Sequence, residues 1–216
     1  MENLKTEFVT IYRLGYIISD VPADIMESLR SETEEMEKSN FANCIAMNER
    51  LAGNIEREYG IVKTIPKLDE YIPRLAAAYY DEYGGSKDMK FKIPDSQHIP
   101  GVRDAWVNFQ KKHEFNPPHN HGGTLSYVIY VKVPYLQENE ISSPWTRNSN
   151  TKASGTFNFL YVDQYTTGGV GSYPIVTDKE FEGKIIVFAS SLVHTVYPFY
   201  TSDEYRVTVA GNIVSY

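Results

Sequence analysis

The sequence predicts a mostly β protein with supporting α: an antiparallel sandwich or jelly roll, with helices near the N-terminus packed on it. Three observations lead there. From Met89 onward, short β-like runs are parted by Gly, Pro and Asn, the pattern of an antiparallel sheet. Before that point apolar residues recur at helical spacing. The chain also holds 17 Tyr among 13% aromatics, residue types suited to sheet faces.

In chain order, Phe8 to Ile18 reads as a strand with a bulge at Gly15. Pro22 then stands just inside a helix start, with Asp20 as its N-cap. That helix spans about Ala23 to Lys38, with Ile25, Met26, Leu29 and Met36 on one side. Glu32, Glu34, Glu35 and Glu37 read as a solvated face. Residues 43 to 63 hold either a short helix or a loop near the active site. A second amphipathic segment covers roughly Lys67 to Tyr83; Pro73 is expected in its first turn and Gly84-Gly85 closes it. Strands are expected over 104–112, 124–133, 156–162, 172–177, 184–189 and 204–215. The polar stretch Gln137 to Ser154 reads as a loop, long enough to serve as a lid.

At 216 residues the chain is expected to form one domain, residues 1–90 as helical support and 91–216 as the barrel core. The net charge of −7 argues against a general nucleic-acid binder. A single cysteine, Cys44, excludes an intrachain disulfide and a cysteine-held metal site. No signal peptide and no run approaching a membrane span is evident, so a soluble, cytoplasmic location is expected.

The chemistry concentrates in Asn116-Pro117-Pro118-His119-Asn120-His121. His119 and His121 are two apart, so on extended backbone their side chains point the same way and can grip one metal. His194, which follows the apolar run Lys184 to Ala189, is the best third ligand. Arg206 lies in the strand-like run Tyr205 to Ala210, with Thr208 on its side of the strand. A fixed cation beside a metal invites an anionic co-substrate. His98 and His113 read as surface or supporting residues, because the prolines are expected to break the strand between His113 and His119. Gly-x-Ser-x-Gly is absent, which leaves no support for a serine hydrolase.

Trp106 to Pro134, with His194 to Asn212, resembles the iron(II)/2-oxoglutarate-dependent oxygenases. More narrowly, it is similar to small oxygenases common in phage and marine microbial genomes, which carry an N-P-x-H-x-H-x-G-x-L-S-like strand and a late His followed by an R-V-T/S-V strand. The likeness covers the C-terminal half strongly and Asn48 to Tyr59 more loosely. It implies a double-stranded β-helix (jelly roll, cupin-like), Fe(II) as cofactor and 2-oxoglutarate and O2 as co-substrates. It also implies hydroxylation of a C–H bond in a peptide or small molecule, in the manner of prolyl hydroxylases. The metal ligands would be His119, His121 and His194. Arg206 and Thr208 would hold the far carboxylate of 2-oxoglutarate, with a hydroxyl from Tyr130 or Tyr127, and Asn108 would line the pocket.

One departure matters: the family's first strand carries His-x-Asp or His-x-Glu, and His121 stands where that carboxylate would be. Either the centre is a three-histidine site, the favoured reading, or a carboxylate arrives from elsewhere. A halogenase-like reading of His121-Gly122-Gly123 is a minor third. Two rivals remain: a cupin-like three-His dioxygenase or isomerase that uses no 2-oxoglutarate, and a non-catalytic barrel that serves as a binding module.

Overall fold

The computed structural model describes residues 15–83, 100–162 and 169–215. Among these residues ten strands form two facing antiparallel sheets. The larger has six: β1 (Tyr16–Asp20), β8 (Lys184–Ala189), β5 (Leu125–Lys132), β10 (Arg206–Ser215), β3 (Pro100–Gln110) and β2 (Glu58–Gly60), in that spatial order. The smaller has four, ordered β4 (Asn116–His119), β9 (His194–Val196), β6 (Phe157–Val162) and β7 (Val170–Ile175). Two helices, α1 (Ala23–Lys38) and α2 (Ile65–Tyr83), pack on the outer face of the large sheet, and a short α3 (Gln137–Ser142) follows β5. This is the double-stranded β-helix arrangement with supporting helices.

The large sheet is covered on both sides, so its central strands are buried throughout and alternation sorts their side chains. Leu125, Tyr127, Ile129 and Val131 join Val107, Phe109, Val207 and Val209 in the core beneath the helices, with Leu29, Leu68 and Ile72. The intervening Val128 and Tyr130 join Ile186, Phe188, Phe157 and Phe159 between the sheets. Burying each such Leu, Ile or Phe stabilises the fold by roughly 1.5–3 kcal/mol. The same alternation aims Trp106, Asn108 and Gln110 of β3, and Arg206, Thr208 and Ala210 of β10, into the space between the sheets.

The helices depart from expectation in three instructive ways. Pro22 itself occupies the N-cap of α1, while Asp20 pairs with Lys184 Nζ at 2.9 Å and its carbonyl accepts from Tyr71 Oη at 3.0 Å. Pro73 lies inside α2, well past its first turn. Leu68, Ile72, Ala76 and Tyr79 stay buried along one stripe across it, so packing outweighs the lost backbone bond. Glu32 is not solvated: it is 4% exposed and caps the entry to α2. Its Oε1 accepts from the Val62 and Lys63 amides, both at 2.8 Å, and Oε2 from the Thr64 amide at 2.9 Å and hydroxyl at 2.7 Å.

The N-terminal region is more than helical support, since β1 and β2 form both edges of the large sheet. The expected early strand is described only from Gly15, and its Phe8–Leu14 part, Gly84-Gly85 and His98 lie outside the described residues. Residues 137–154 contain α3 rather than loop alone. They are pinned by Glu140, fully buried, which accepts from Ser154 Oγ at 2.8 Å and the Tyr200 and Thr201 amides at 2.9 Å. Among the described residues no helix is long and apolar enough to cross a membrane.

Candidate metal centre

β4 forms even though Pro117 and Pro118 occupy its middle. It is an edge strand, so the absent N–H groups cost no ladder bond that the sheet requires. Its partner β9 sets His119 directly opposite His194, while the His121 amide donates to the Ser190 carbonyl at 2.9 Å and brings the third ring alongside. The potential ligand atoms of His119, His121 and His194 all lie within 4.8 Å of one another. Among the described residues no carboxylate joins this cluster.

The ring nitrogens are set for coordination. His119 Nδ1 donates to the Pro117 carbonyl at 2.7 Å and His194 Nδ1 to the Leu192 carbonyl at 3.0 Å. A carbonyl only accepts, so each Nδ1 carries the proton and each Nε2 keeps its lone pair. His121 Nε2 and His194 Nε2 approach to 3.2 Å. Adjacent nitrogens on one ion, bonded at about 2.1 Å, stand roughly 3 Å apart, so the donor set fits a transition metal. Phe157 stacks on His194 at 5.2 Å and Phe188 meets it edge-on at 4.8 Å. Burial, then the neighbouring His119, pushes His194 down to about 3 and His121 down to about 4. Burial also lowers His119. All three are neutral near pH 7 and available as ligands.

A cleft, part of it open to solvent, runs from this cluster to Arg206. Arg206 is 1% exposed, and among the described residues its fork meets only neutral acceptors. Nη1 donates to Tyr135 Oη at 2.6 Å and to the Gly155 carbonyl at 3.1 Å, and Nη2 donates to Gln110 Oε1. Gly155 has φ +69, and a Cβ there would stand 2.7 Å from the Tyr135 ring, so only glycine serves at that support. A buried guanidinium without a carboxylate partner leaves its charge uncompensated and suits an entering anion. Thr208 accepts from Asn108 Nδ2 at 3.2 Å, and Asn108 Oδ1 is buried without a partner among the described residues. Tyr130 lies directly across from Thr208 on β5.

Every described residue among those expected from the sequence, namely His119, His121, His194, Arg206, Thr208, Tyr130 and Asn108, lines this one cleft. Tyr127, the alternative to Tyr130, also borders this cleft, although it packs in the core beneath the helices. His113 stands apart, edge-on to Trp145 and Tyr200 at 5.6 and 5.2 Å. Sequence reasoning missed Gln110, Tyr135 and Gly155 around Arg206, and also Glu58. Gln110 was within reach, because it shares the parity of Trp106 and Asn108 on one strand. Tyr135 follows the end of β5 and Gly155 precedes the start of β6, where no periodicity marks them. The cleft is lined by Leu51, Ala52 and Gly53, and not by residues 137–154.

A family model described as 2OG-Fe(II) oxygenase matches residues 104–212. Among solved structures, a prolyl-4-hydroxylase from Pseudomonas putida aligns at TM-score 0.55 and 14% identity, over 93% of this chain and 92% of its own. AviO1 from Streptomyces viridochromogenes Tue57 aligns at TM-score 0.53 and 13% identity, over 94% and 90%. HygX from Streptomyces hygroscopicus, with nickel and 2-oxoglutarate bound, aligns at TM-score 0.53 and 11% identity, over 93% and 83%. At such identities the likeness is one of fold. No curated protein matches the sequence.

Proposed function

This chain belongs to the 2OG-Fe(II) oxygenase family, and from that membership we propose that His119, His121 and His194 hold its iron and that Arg206 anchors its 2-oxoglutarate. It is a non-haem iron, 2-oxoglutarate-dependent oxygenase. The observation that carries the assignment of residues is the pairing, in one cleft, of three convergent imidazoles with a buried guanidinium that has only neutral partners among the described residues. Residues 1–216 are read as one oxygenase unit, a reading supported by the edge strands that the N-terminal part contributes.

When bound, iron with 2-oxoglutarate supplies the oxidising power for a C–H bond, with O2 consumed and succinate and CO2 released. The protein's own groups do the positioning. Arg206 offers a planar fork to the far carboxylate, and Tyr135, Gly155 and Gln110 keep that fork from turning. Thr208 and Tyr130, opposite each other on β10 and β5, line the same cleft. The Nδ1–H bonds of His119 and His194 fix both rings with Nε2 facing the shared point. Phe157 and Phe188 shield His194 from water. The reaction this arrangement supports best is hydroxylation of a peptidyl or small-molecule C–H bond.

An anaerobic titration of the iron(II)-loaded protein with 2-oxoglutarate tests the reading. A visible charge-transfer band from the chelate, lost in Arg206→Ala, is the expected result. Iron binding without that band would instead favour a cupin-like three-His dioxygenase, and absence of both would leave a non-catalytic barrel.

A further inference from the structure

Across the large sheet Glu58 pairs with Asn108, Asn108 with Thr208, and Thr208 with Tyr130. Residues directly opposite on antiparallel strands share a face. The carboxylate of Glu58 therefore ends a row of polar side chains that all line the cleft of the three histidines and Arg206. Glu58 is 1% exposed, yet the one hydrogen bond its carboxylate makes among the described residues is a long contact of 3.4 Å from Asn48 Nδ2. No described Lys, Arg or His pairs with it. Its charged neighbour is another acid, Glu114, and burial together with that acid pushes its carboxyl up to about 7. A buried carboxylate is normally matched by a cation or several donors, and this one has neither.

A second acceptor converges on the same spot. A Cβ on Gly53 would lie 2.3 Å from Asn116 Oδ1 and 2.8 Å from Glu58 Oε1, so both oxygens reach the space that a side chain at Gly53 would take. Gly53 belongs to the Leu51–Gly53 segment that lines the cleft. Arg206 and Glu58 thus present opposite charges within one cleft: a cation for the co-substrate and an anion for something else. Because 2-oxoglutarate carries only negative charge, the carboxylate is not placed to receive it.

We propose that Glu58, assisted by Asn116, is the specificity residue that receives a protonated nitrogen of the substrate, an ammonium or guanidinium group. The proposal rests on the oxygenase reading of this cleft and names its substrate class as organic cations. The carboxylate accepts the charged N–H donors, Asn116 Oδ1 accepts one more, and the cationic end is thereby held at the Gly53 side while the rest of the substrate extends toward the histidines. Glu58 takes no part in moving the reacting hydrogen, so its effect belongs to substrate binding and choice.

The test uses the full chain loaded with zinc(II) and 2-oxoglutarate, which binds substrate without turnover. Nα-acetyl-lysine amide and Nα-acetyl-arginine amide are compared with their neutral counterparts, Nα-acetyl-norleucine amide and Nα-acetyl-citrulline amide, by ligand-observed NMR and calorimetry. Wild type is expected to prefer at least one cation over its neutral counterpart. Glu58→Gln is expected to lose about 10- to 100-fold of that affinity, as for a removed hydrogen bond to charge. Which of the two cations wins separates ammonium from guanidinium. Equal binding of charged and neutral probes, no binding of either cation to wild type, or a preference that survives Glu58→Gln would each overturn the proposal. The wild-type comparison stands even if the variant folds poorly. Failure of the oxygenase reading shows separately, as absence of the iron–2-oxoglutarate band in wild type.

Discussion

His121 Nε2 lies 3.2 Å from His194 Nε2, although 73 residues separate them in the chain. That approach suits a hydrogen bond from His121 Nε2–H to the His194 Nε2 lone pair in the metal-free protein, and one shared metal ion when both nitrogens are free of protons. His194→Ala should therefore abolish tight iron(II) binding, measured as metal retained through desalting and by calorimetry. Retention of wild-type affinity would remove His194 from the ligand set. His121→Asp should keep the metal, because it restores the two-His, one-carboxylate set common for non-haem iron.

The metal-free protein should lose stability in acid. His194 is held near 3 and His121 near 4, against an ordinary 6.5, with burial the main cause. Below pH 6.5 the unfolded chain protonates these rings while the native one does not, so unfolding takes up protons and stability falls as pH drops toward 4. Urea unfolding of the metal-free protein across pH 4–8 should show this slope, and the His121→Gln/His194→Gln double variant should show it weakened.

Glu58 works in the opposite sense. Its carboxyl is raised from 4.5 to about 7, first by burial. The native state then holds a proton that the unfolded chain has released, so its stabilising share is complete below pH 4.5 and gone above pH 7. Glu58→Gln should melt higher than wild type at pH 8 and equally at pH 4. A variant that melts lower at pH 8 would mean that the ionised carboxylate has partners in the native state.

Arg206→Ala should leave iron in place and raise the 2-oxoglutarate requirement. Loss of a bidentate ion contact worth roughly 2–4 kcal/mol corresponds to about 30- to 1000-fold. Arg206→Lys should recover little, since an ammonium cannot reproduce the planar fork. Tyr135→Phe removes one of three fork supports and should give a smaller rise, readable from the same 2-oxoglutarate titration.

Glu32→Ala should destabilise the protein without touching the cleft. Four donors at the start of α2 lose their acceptor at once, for a cost of about 2–4 kcal/mol in chemical denaturation. Unchanged 2-oxoglutarate binding in the folded variant would show that the loss is confined to the helix layer.

Much of the fold was legible because period-2 alternation survives in β3, β5 and β10. Parity alone places Arg206 and Thr208 on one face of β10, whereas His121 lies beyond the end of β4 and is brought beside His119 by its amide bond to the Ser190 carbonyl. β4 was not legible: Pro117 and Pro118 read as strand breakers, and only the tertiary fact that β4 is an edge makes them tolerable. Glu32 and Glu58 were missed for a shared reason. Periodicity reports which residues are apolar, and a buried carboxylate is recognised only when its donors, or its want of a counter-charge, are seen in space. Pro73 failed in the same way, because the stripe from Leu68 to Tyr79 belongs to the sheet beneath as much as to the helix.

The prolines of the smaller sheet have one more consequence. β4 and β7 are its two outer strands, and Pro117, Pro118 and Pro174 remove amide donors from both. An open edge normally offers a row of donors and acceptors on which a strand from another molecule can be templated. Here that row is interrupted beside the cleft and again at the far margin. The protein can leave the rim of its reactive centre unroofed for substrates to enter, without exposing a continuous edge for intermolecular β-pairing and aggregation.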